Sequence, residues 1–169
     1  MKTSLEKLLL LLLLAVFPLS AAAKKPEKHF ADKILVEKAE RRMTLYRKDK
    51  ALKTYKVSLG KEPVGAKREQ GDHKTPEGRY KIDARNSKSS YHLALHISYP
   101  APRDIEAAQD RGVKPGGAIM IHGLPNGLSD FGTAHRLYDW TDGCIAVTNA
   151  EIEEIWELVP DGTPIEILP

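Results

Sequence analysis

The chain holds one cysteine, Cys144, in the stretch Asp139-Trp140-Thr141-Asp142-Gly143-Cys144-Ile145-Ala146-Val147-Thr148-Asn149. A thiol attacks as its thiolate, and at an ordinary pKa near 8.5 only about 3% is ionised at pH 7. It therefore needs a base or cation beside it, and hydrogen-bond donors for the oxyanion its attack creates. Two imidazoles are candidates for the base. His122 stands at the exit of an apolar run and precedes Gly123; His135 lies nine residues before Cys144. Gly143 suits the other need. With no side chain, it lets the Asp142-Gly143-Cys144 backbone turn tightly and present N–H groups to a substrate carbonyl, with Thr141 and Asp142 setting the turn. Spacing alone leaves this reading level with a bland one, in which His122 is structural and Cys144 is inert packing. A metal site of His92, His96, His122 and Cys144 has no short-spaced ligand motif behind it.

These residues must be positioned by something, and the surrounding pattern is mostly β. Ile34 to Lys38 reads as a short strand, and the alternation around Met43 and Leu45 as a half-buried one. Lys48-Asp49-Lys50 reads as a hairpin turn into a strand carrying Leu52, Tyr55, Val57 and Leu59, closed by Gly60. Glu62 to Gly78, with two prolines and three glycines, reads as a long surface loop of the kind that tends to carry function. Strands follow at Arg79 to Ala84, Leu93 to Tyr99 and Ala118 to Ile121, with a short helix over Arg103 to Asp110. Leu124 to Trp140 reads as irregular. Thr148-Asn149-Ala150-Glu151 is a capping box, and Ile152, Ile155, Trp156 and Val159 follow at helical spacing. Pro160-Asp161-Gly162 ends that helix, and Thr163 to Leu168 is a last strand. The expected class is β-rich α+β with one or two short helices.

The N-terminus bears on the chemistry of the thiol. Lys2 and Lys7 precede the unbroken apolar run Leu8 to Phe17, and Ala21-Ala22-Ala23 follows. This is the pattern of a secretory signal peptide over 1–23, cleaved near Ala23. The run falls short of the roughly 20 residues a membrane span needs. Residues 24–32 read as a leader and 33–169 as one domain. Removing 1–23 leaves 146 of 169 residues, enough to build a core without disulfides. The whole chain carries a net charge of +3, and the signal peptide takes away two lysines and one glutamate. A charge this small points away from nucleic acid. The expected location is the periplasm or cell envelope, where an unpaired thiol is a liability unless it has a use.

Ile119-Met120-Ile121-His122-Gly123 followed by Thr141-Asp142-Gly143-Cys144-Ile145-Ala146-Val147-Thr148-Asn149 resembles the L,D-transpeptidase catalytic domain, the YkuD-type domain. Gly71 to Ile82 is similar to that family's threonine-proline-x-glycine segment before a strand. The resemblance runs from about Lys33 to Leu168. Its histidine-before-cysteine order differs from cell-wall cysteine peptidases in which the cysteine comes first. It implies a mixed β-sandwich or barrel acting on peptidoglycan stem peptides, with Cys144 as nucleophile, His122 as proton donor and acceptor, and no metal or organic cofactor. Gly123 and His135 become candidates for the substrate pocket. The implied reaction forms a Cys thioester that a second stem's amine resolves into a 3→3 crosslink. Water would give hydrolysis instead, and a lipoprotein lysine would give anchoring. A monomer is expected, and a non-catalytic cell-wall-binding module is the competing class. Two positions depart from the pattern. Many members have histidine where this chain has Asp142, and arginine where it has Ala146, so the roles of those positions do not transfer. The Asp139–Asn149 form is most similar to a branch near enzymes that detach lipoprotein from peptidoglycan.

Overall fold

The computed structural model describes residues 30–169. The predicted signal peptide (1–23) and residues 24–29 of the leader lie outside the described residues. Eight strands form one sheet: β1 (Lys33–Glu37), β2 (Arg42–Arg47), β3 (Lys50–Lys56), β4 (Gly78–Ser89), β5 (His92–Ile97), β6 (Met120–His122), β7 (Ile145–Ala146) and β8 (Pro164–Leu168). Their spatial order is β3-β2-β1-β8-β4-β5-β6-β7. Most neighbours run antiparallel, but β1 with β8 and β6 with β7 are parallel.

The alternation seen in the sequence sets the inner face. Ile34 and Val36 of β1, Met43 and Leu45 of β2, and Ile165 and Ile167 of β8 are all buried, while the intervening residues are more exposed except Thr44, which is buried too. Burying such side chains stabilises the fold by roughly 1.5–3 kcal/mol each. Lys48 and Asp49 both have positive φ, +48° and +61°, which gives the two-residue hairpin the twist its strands need. After β3 the chain leaves the edge of the sheet and crosses to the other edge. Ser58 there bridges Ala146 of β7, and Gly60 bridges Thr141. The sheet thereby curls back on itself into a half-barrel, which brings the segment after β3 beside Cys144.

Two helices cover it. α1 (Pro102–Gln109) starts with proline in its first turn. α2 (Asn149–Leu158) starts as the capping box requires: Thr148 Oγ1 accepts from the Glu151 N–H, and the Glu151 carboxylate accepts from the Thr148 N–H. Ile152 and Ile155 of α2 are buried, and the helix packs on β5 and β6. The β-rich α+β expectation holds.

Several boundaries shift. β3 ends at Lys56, before the Val57 and Leu59 expected in it, and β5 ends at Ile97, short of the expected Tyr99. β4 continues to Ser89, five residues past its expected end, because β5 pairs with the added stretch through an irregular step in register between Asn86 and Ser89. The strand expected over Ala118 to Ile121 is Met120–His122; Ala118 has a φ of +55° and belongs to the turn before it. The segment expected to be irregular contains 3₁₀ turns over Ser129–Leu137, interrupted at Gly132.

Candidate active site

His122 ends β6, and Cys144 immediately precedes β7, the parallel neighbour of β6. Ile121 pairs with Ile145 and His122 with Ala146; Cys144 lies two residues before Ala146, so by the two-residue period its side chain is on the same face as that of His122. Both open into one cavity of about 480 Å³, which Tyr91, Trp140, Thr141, Asp142 and Lys61 also line.

The turn before Cys144 is built by Thr141, which is almost fully buried. Its hydroxyl accepts a hydrogen bond from the Gly143 N–H (3.1 Å) and donates one to the Cys144 carbonyl (2.7 Å). Gly143 has a φ of +126°, and a Cβ there would lie 2.6 Å from the Lys74 carbonyl oxygen. Glycine is thus required both by backbone angle and by space. The expectation that the Gly143 N–H faces substrate is corrected: Thr141 already holds it.

His122 is buried and ringed by aromatic groups. Tyr91 lies 4.5 Å away between ring centroids and Trp140 5.8 Å, edge-on. Its Nδ1 is 2.7 Å from the Gly123 carbonyl oxygen. A carbonyl only accepts, so Nδ1 carries the proton and Nε2 keeps its lone pair. Burial lowers the imidazole pKa to about 4, against the opposing pull of the Gly123 carbonyl. His122 is therefore a neutral base at neutral pH.

The half-buried thiol of Cys144 points its Sγ at the Ala118 carbonyl, 3.5 Å away. Burial pushes the thiol up from its ordinary value and the Asp142 carboxylate adds to that, while the Met120 N–H and Lys67 oppose it. The resting pair is thus a neutral thiol and a neutral imidazole, not a preformed thiolate. Proton transfer from one to the other has to accompany attack.

The remaining sequence candidates fall in different places. Asp142 is exposed, and its Oδ1 accepts from Lys61 Nζ (3.0 Å) and His73 Nδ1 (2.9 Å). Both partners hold its carboxyl below the usual range, with Lys61 the larger influence. Gly123 does not line the cavity. A Cβ there would meet Asn149 Oδ1 at 2.7 Å, and the residue's contribution is the carbonyl that orients His122. His135 is also corrected. It is buried, and its Nδ1 donates to Ser58 Oγ, which in turn donates to the His135 carbonyl. It lines a separate small apolar cleft with Leu124, Phe131 and Tyr138. His92 and His96 pair with Glu153 and Asp83 instead of converging on Cys144.

The long loop is more ordered than its composition suggests, because buried cations hold it from beneath. Lys38 Nζ donates to the Gly65 and Thr75 carbonyls and to Glu77. Lys67 pairs with Asp72 at 2.7 Å, and Asp72 also accepts from three backbone N–H groups. Thr75, of the threonine-proline-x-glycine segment, accepts from the Gly60 N–H. That segment therefore seats the loop against the cysteine turn. The sequence reading missed Tyr91, Trp140 and Lys61 as cavity residues. Trp140 was adjacent to the motif; Tyr91 and Lys61 carried no local signal.

Fold and site define a class: a curled, β-rich domain with a histidine ending one strand and a cysteine preceding its parallel neighbour, both lining a shared cavity. The family model of the YkuD domain, the L,D-transpeptidase catalytic domain, matches residues 31–167, and the chain belongs to that family. A curated relative in Escherichia coli (strain K12) bears the name "Putative L,D-transpeptidase YafK". It is 31% identical over 132 residues, which cover 75% of this chain and 46% of that protein. The chain thus spans about half the length of the curated relatives it matches. Among solved structures, Bd1075 of Bdellovibrio bacteriovorus is 28% identical with a TM-score of 0.59, over 82% of this chain and 48% of that one. The helical cell shape determining protein Pgp2 of Campylobacter jejuni is 26% identical with a TM-score of 0.60, over 81% and 47%. An L,D-transpeptidase from Mycobacterium smegmatis shares the fold at 14% identity and a TM-score of 0.54, over 82% and 59%.

Proposed function

We propose that the protein is an exported cysteine acyltransferase acting on peptidoglycan stem peptides. One observation carries this reading: the Gly123 carbonyl holds the Nδ1–H of His122, which leaves Nε2 with its lone pair on a residue that lines the same cavity as Cys144. His122 Nε2 takes the thiol proton as Sγ attacks the carbonyl of the third residue of a tetrapeptide stem. With the Gly143 N–H committed to Thr141, the Cys144 N–H is the donor the turn offers to the oxyanion. Collapse of the tetrahedral intermediate breaks the bond to the terminal D-alanine. The protonated His122 returns its proton to the leaving amine, and a thioester on Cys144 remains.

An amine of a second stem then attacks the thioester and His122 again takes the proton; the C–S bond breaks, His122 returns the proton to Cys144, and a 3→3 crosslink is left. A second cleft of about 790 Å³ supports this, because it meets the Cys144 cavity at Ala118 and Asp142 and gives an acceptor a place to lie. A hydrolytic reading, as a carboxypeptidase or an amidase releasing lipoprotein, is favoured by the open rim at Lys61 and Asp142, whose side chains are 54% and 73% exposed. The test is to incubate purified protein with defined tetrapeptide muropeptides and separate the products by mass spectrometry. Crosslinked dimers support transfer to an amine, and tripeptides alone support hydrolysis. Unchanged tetrapeptide would refute crosslinking and carboxypeptidase action, and the amidase reading is refuted if a stem tripeptide joined to lysine is also left unchanged.

The monomeric state and the location in the periplasm or cell envelope are part of the same proposal. N-terminal sequencing of the protein recovered from the cell envelope tests cleavage near Ala23, and an intact Met1 there would contradict it.

A further inference from the structure

The cavity that Cys144 lines carries its charge at the mouth. Among the described residues lining it, Lys61 and Asp142 are the only ones with charged side chains. Asp142 stands where a histidine is common in the family, and Lys61 lies in the crossing segment.

Their pairing is not needed to hold the loop. Lys38 and Lys67, both buried, already fix it from beneath. The Lys61–Asp142 pair instead lies at the mouth, with side chains 54% and 73% exposed and 3.0 Å apart. Ion pairs this exposed are weak and separate readily for a better-matched ligand. Lys61 and His73 both bind Oδ1 of Asp142, which leaves Oδ2 turned to other donors. Ala146, where many relatives carry arginine, is fully buried, so that position supplies no cation to the cavity. Lys61 is the cation that is present.

An ammonium–carboxylate pair at a cavity mouth is complementary to a ligand bearing a carboxylate and an ammonium on one carbon. Resting on the function proposed above, we propose that Lys61 and Asp142 recognise the free amino-carboxylate end of a diamino diacid at the third stem position. Lys61 Nζ binds the carboxylate and Asp142 Oδ2 the ammonium, as charge-assisted hydrogen bonds. The reach fits. Asp142 lies two residues before Cys144, a span of at most about 7 Å. The side chain of a diamino diacid, five bonds from the reacting carbonyl to its far centre, covers a similar length.

The test uses three tetrapeptide stems that differ only at the third residue. One carries diaminopimelate, one lysine (ammonium without carboxylate), and one diaminopimelate acetylated on its side-chain nitrogen (carboxylate without ammonium). The wild-type kcat/KM is expected to favour the first over each of the others by about tenfold, the scale of one charge-assisted contact at a partly exposed site. Lys61→Gln should erase the preference over lysine and retain the preference over the acetylated stem. Asp142→Asn should do the reverse. Thermal denaturation of both variants checks that they fold. Wild-type turnover of all three stems at similar kcat/KM would overturn the assignment and leave the proposed function standing. So would variants that slow all three stems equally, since a merely structural tie predicts that result. Turnover of none of the stems would overturn the proposed function itself, and this assignment with it.

Discussion

Replacing Thr141 with valine isolates the turn that presents Cys144. Valine keeps the shape of threonine and puts a methyl group where the hydroxyl was. The change leaves two groups without partners: the Gly143 N–H, now 3.1 Å from Oγ1, and the Cys144 carbonyl, 2.7 Å from it. Each abandoned buried polar group costs about 1–3 kcal/mol. Water reaching the turn from the cavity offsets part of this, so the expected loss is about 2–4 kcal/mol. At roughly 3 °C per kcal/mol for a chain of this size, the thermal midpoint should fall by about 6–12 °C. Thr141→Ser keeps the hydroxyl and loses one methyl, for about 0.5–1.5 kcal/mol, by analogy with other buried methyl deletions. Chemical denaturation of the three proteins gives the stabilities, and the rate of Cys144 acylation by a tetrapeptide stem gives the functional effect. The valine variant should acylate far more slowly and the serine variant at nearly the wild-type rate. A valine variant within about 0.5 kcal/mol of wild type, acylating normally, would refute the role of the hydroxyl.

Gly143→Ala is expected to cost about 2–4 kcal/mol, from a φ of +126° and a Cβ 2.6 Å from the Lys74 carbonyl, and wild-type stability and kinetics in that variant would contradict it. Labelling of Cys144 by a small electrophile should climb only above the ordinary thiol range, because burial disfavours the thiolate; a plateau reached by pH 7 would show a preformed ion pair. Acid stability should carry the signature of His122. Its folded pKa of about 4 lies below the unfolded 6.5, so the unfolded chain binds the proton first as pH falls and stability drops between those values by about 3 kcal/mol. Denaturation midpoints across that window should fall less steeply in His122→Gln, and equal slopes in the two proteins would count against the buried neutral imidazole.

The parts legible in the sequence were those coded locally. The capping box at Thr148 and Glu151, the Lys48-Asp49 turn and the order of histidine before glycine-cysteine each show within a short stretch of chain, and each is where it was expected. What was not legible depends on distant partners. The polar stretch at the end of β4, Asn86 to Ser89, has no strand character of its own; β5 supplies its pairing, and Ser89 thereby reaches the cavity. Tyr91 stacks near His122 only because β5 lies beside β6. His135 looked as eligible as His122 until Ser58, seventy-seven residues away, proved to be its partner. The use of the Gly143 N–H by Thr141 is local, yet a hydroxyl two residues before a glycine has many alternatives and does not announce itself.

The central claim is that Cys144 carries the acyl group and His122 the proton. The most direct measurement is the intact mass of the protein after brief exposure to a tetrapeptide stem, with the modified residue located by peptide mapping. Wild type is expected to gain the mass of the stem less its terminal D-alanine, on Cys144. Cys144→Ala should gain nothing, His122→Ala should gain it far more slowly, and His135→Ala should form the adduct if it folds. An adduct on another residue, turnover by Cys144→Ala, or unimpaired acylation in His122→Ala would contradict the claim.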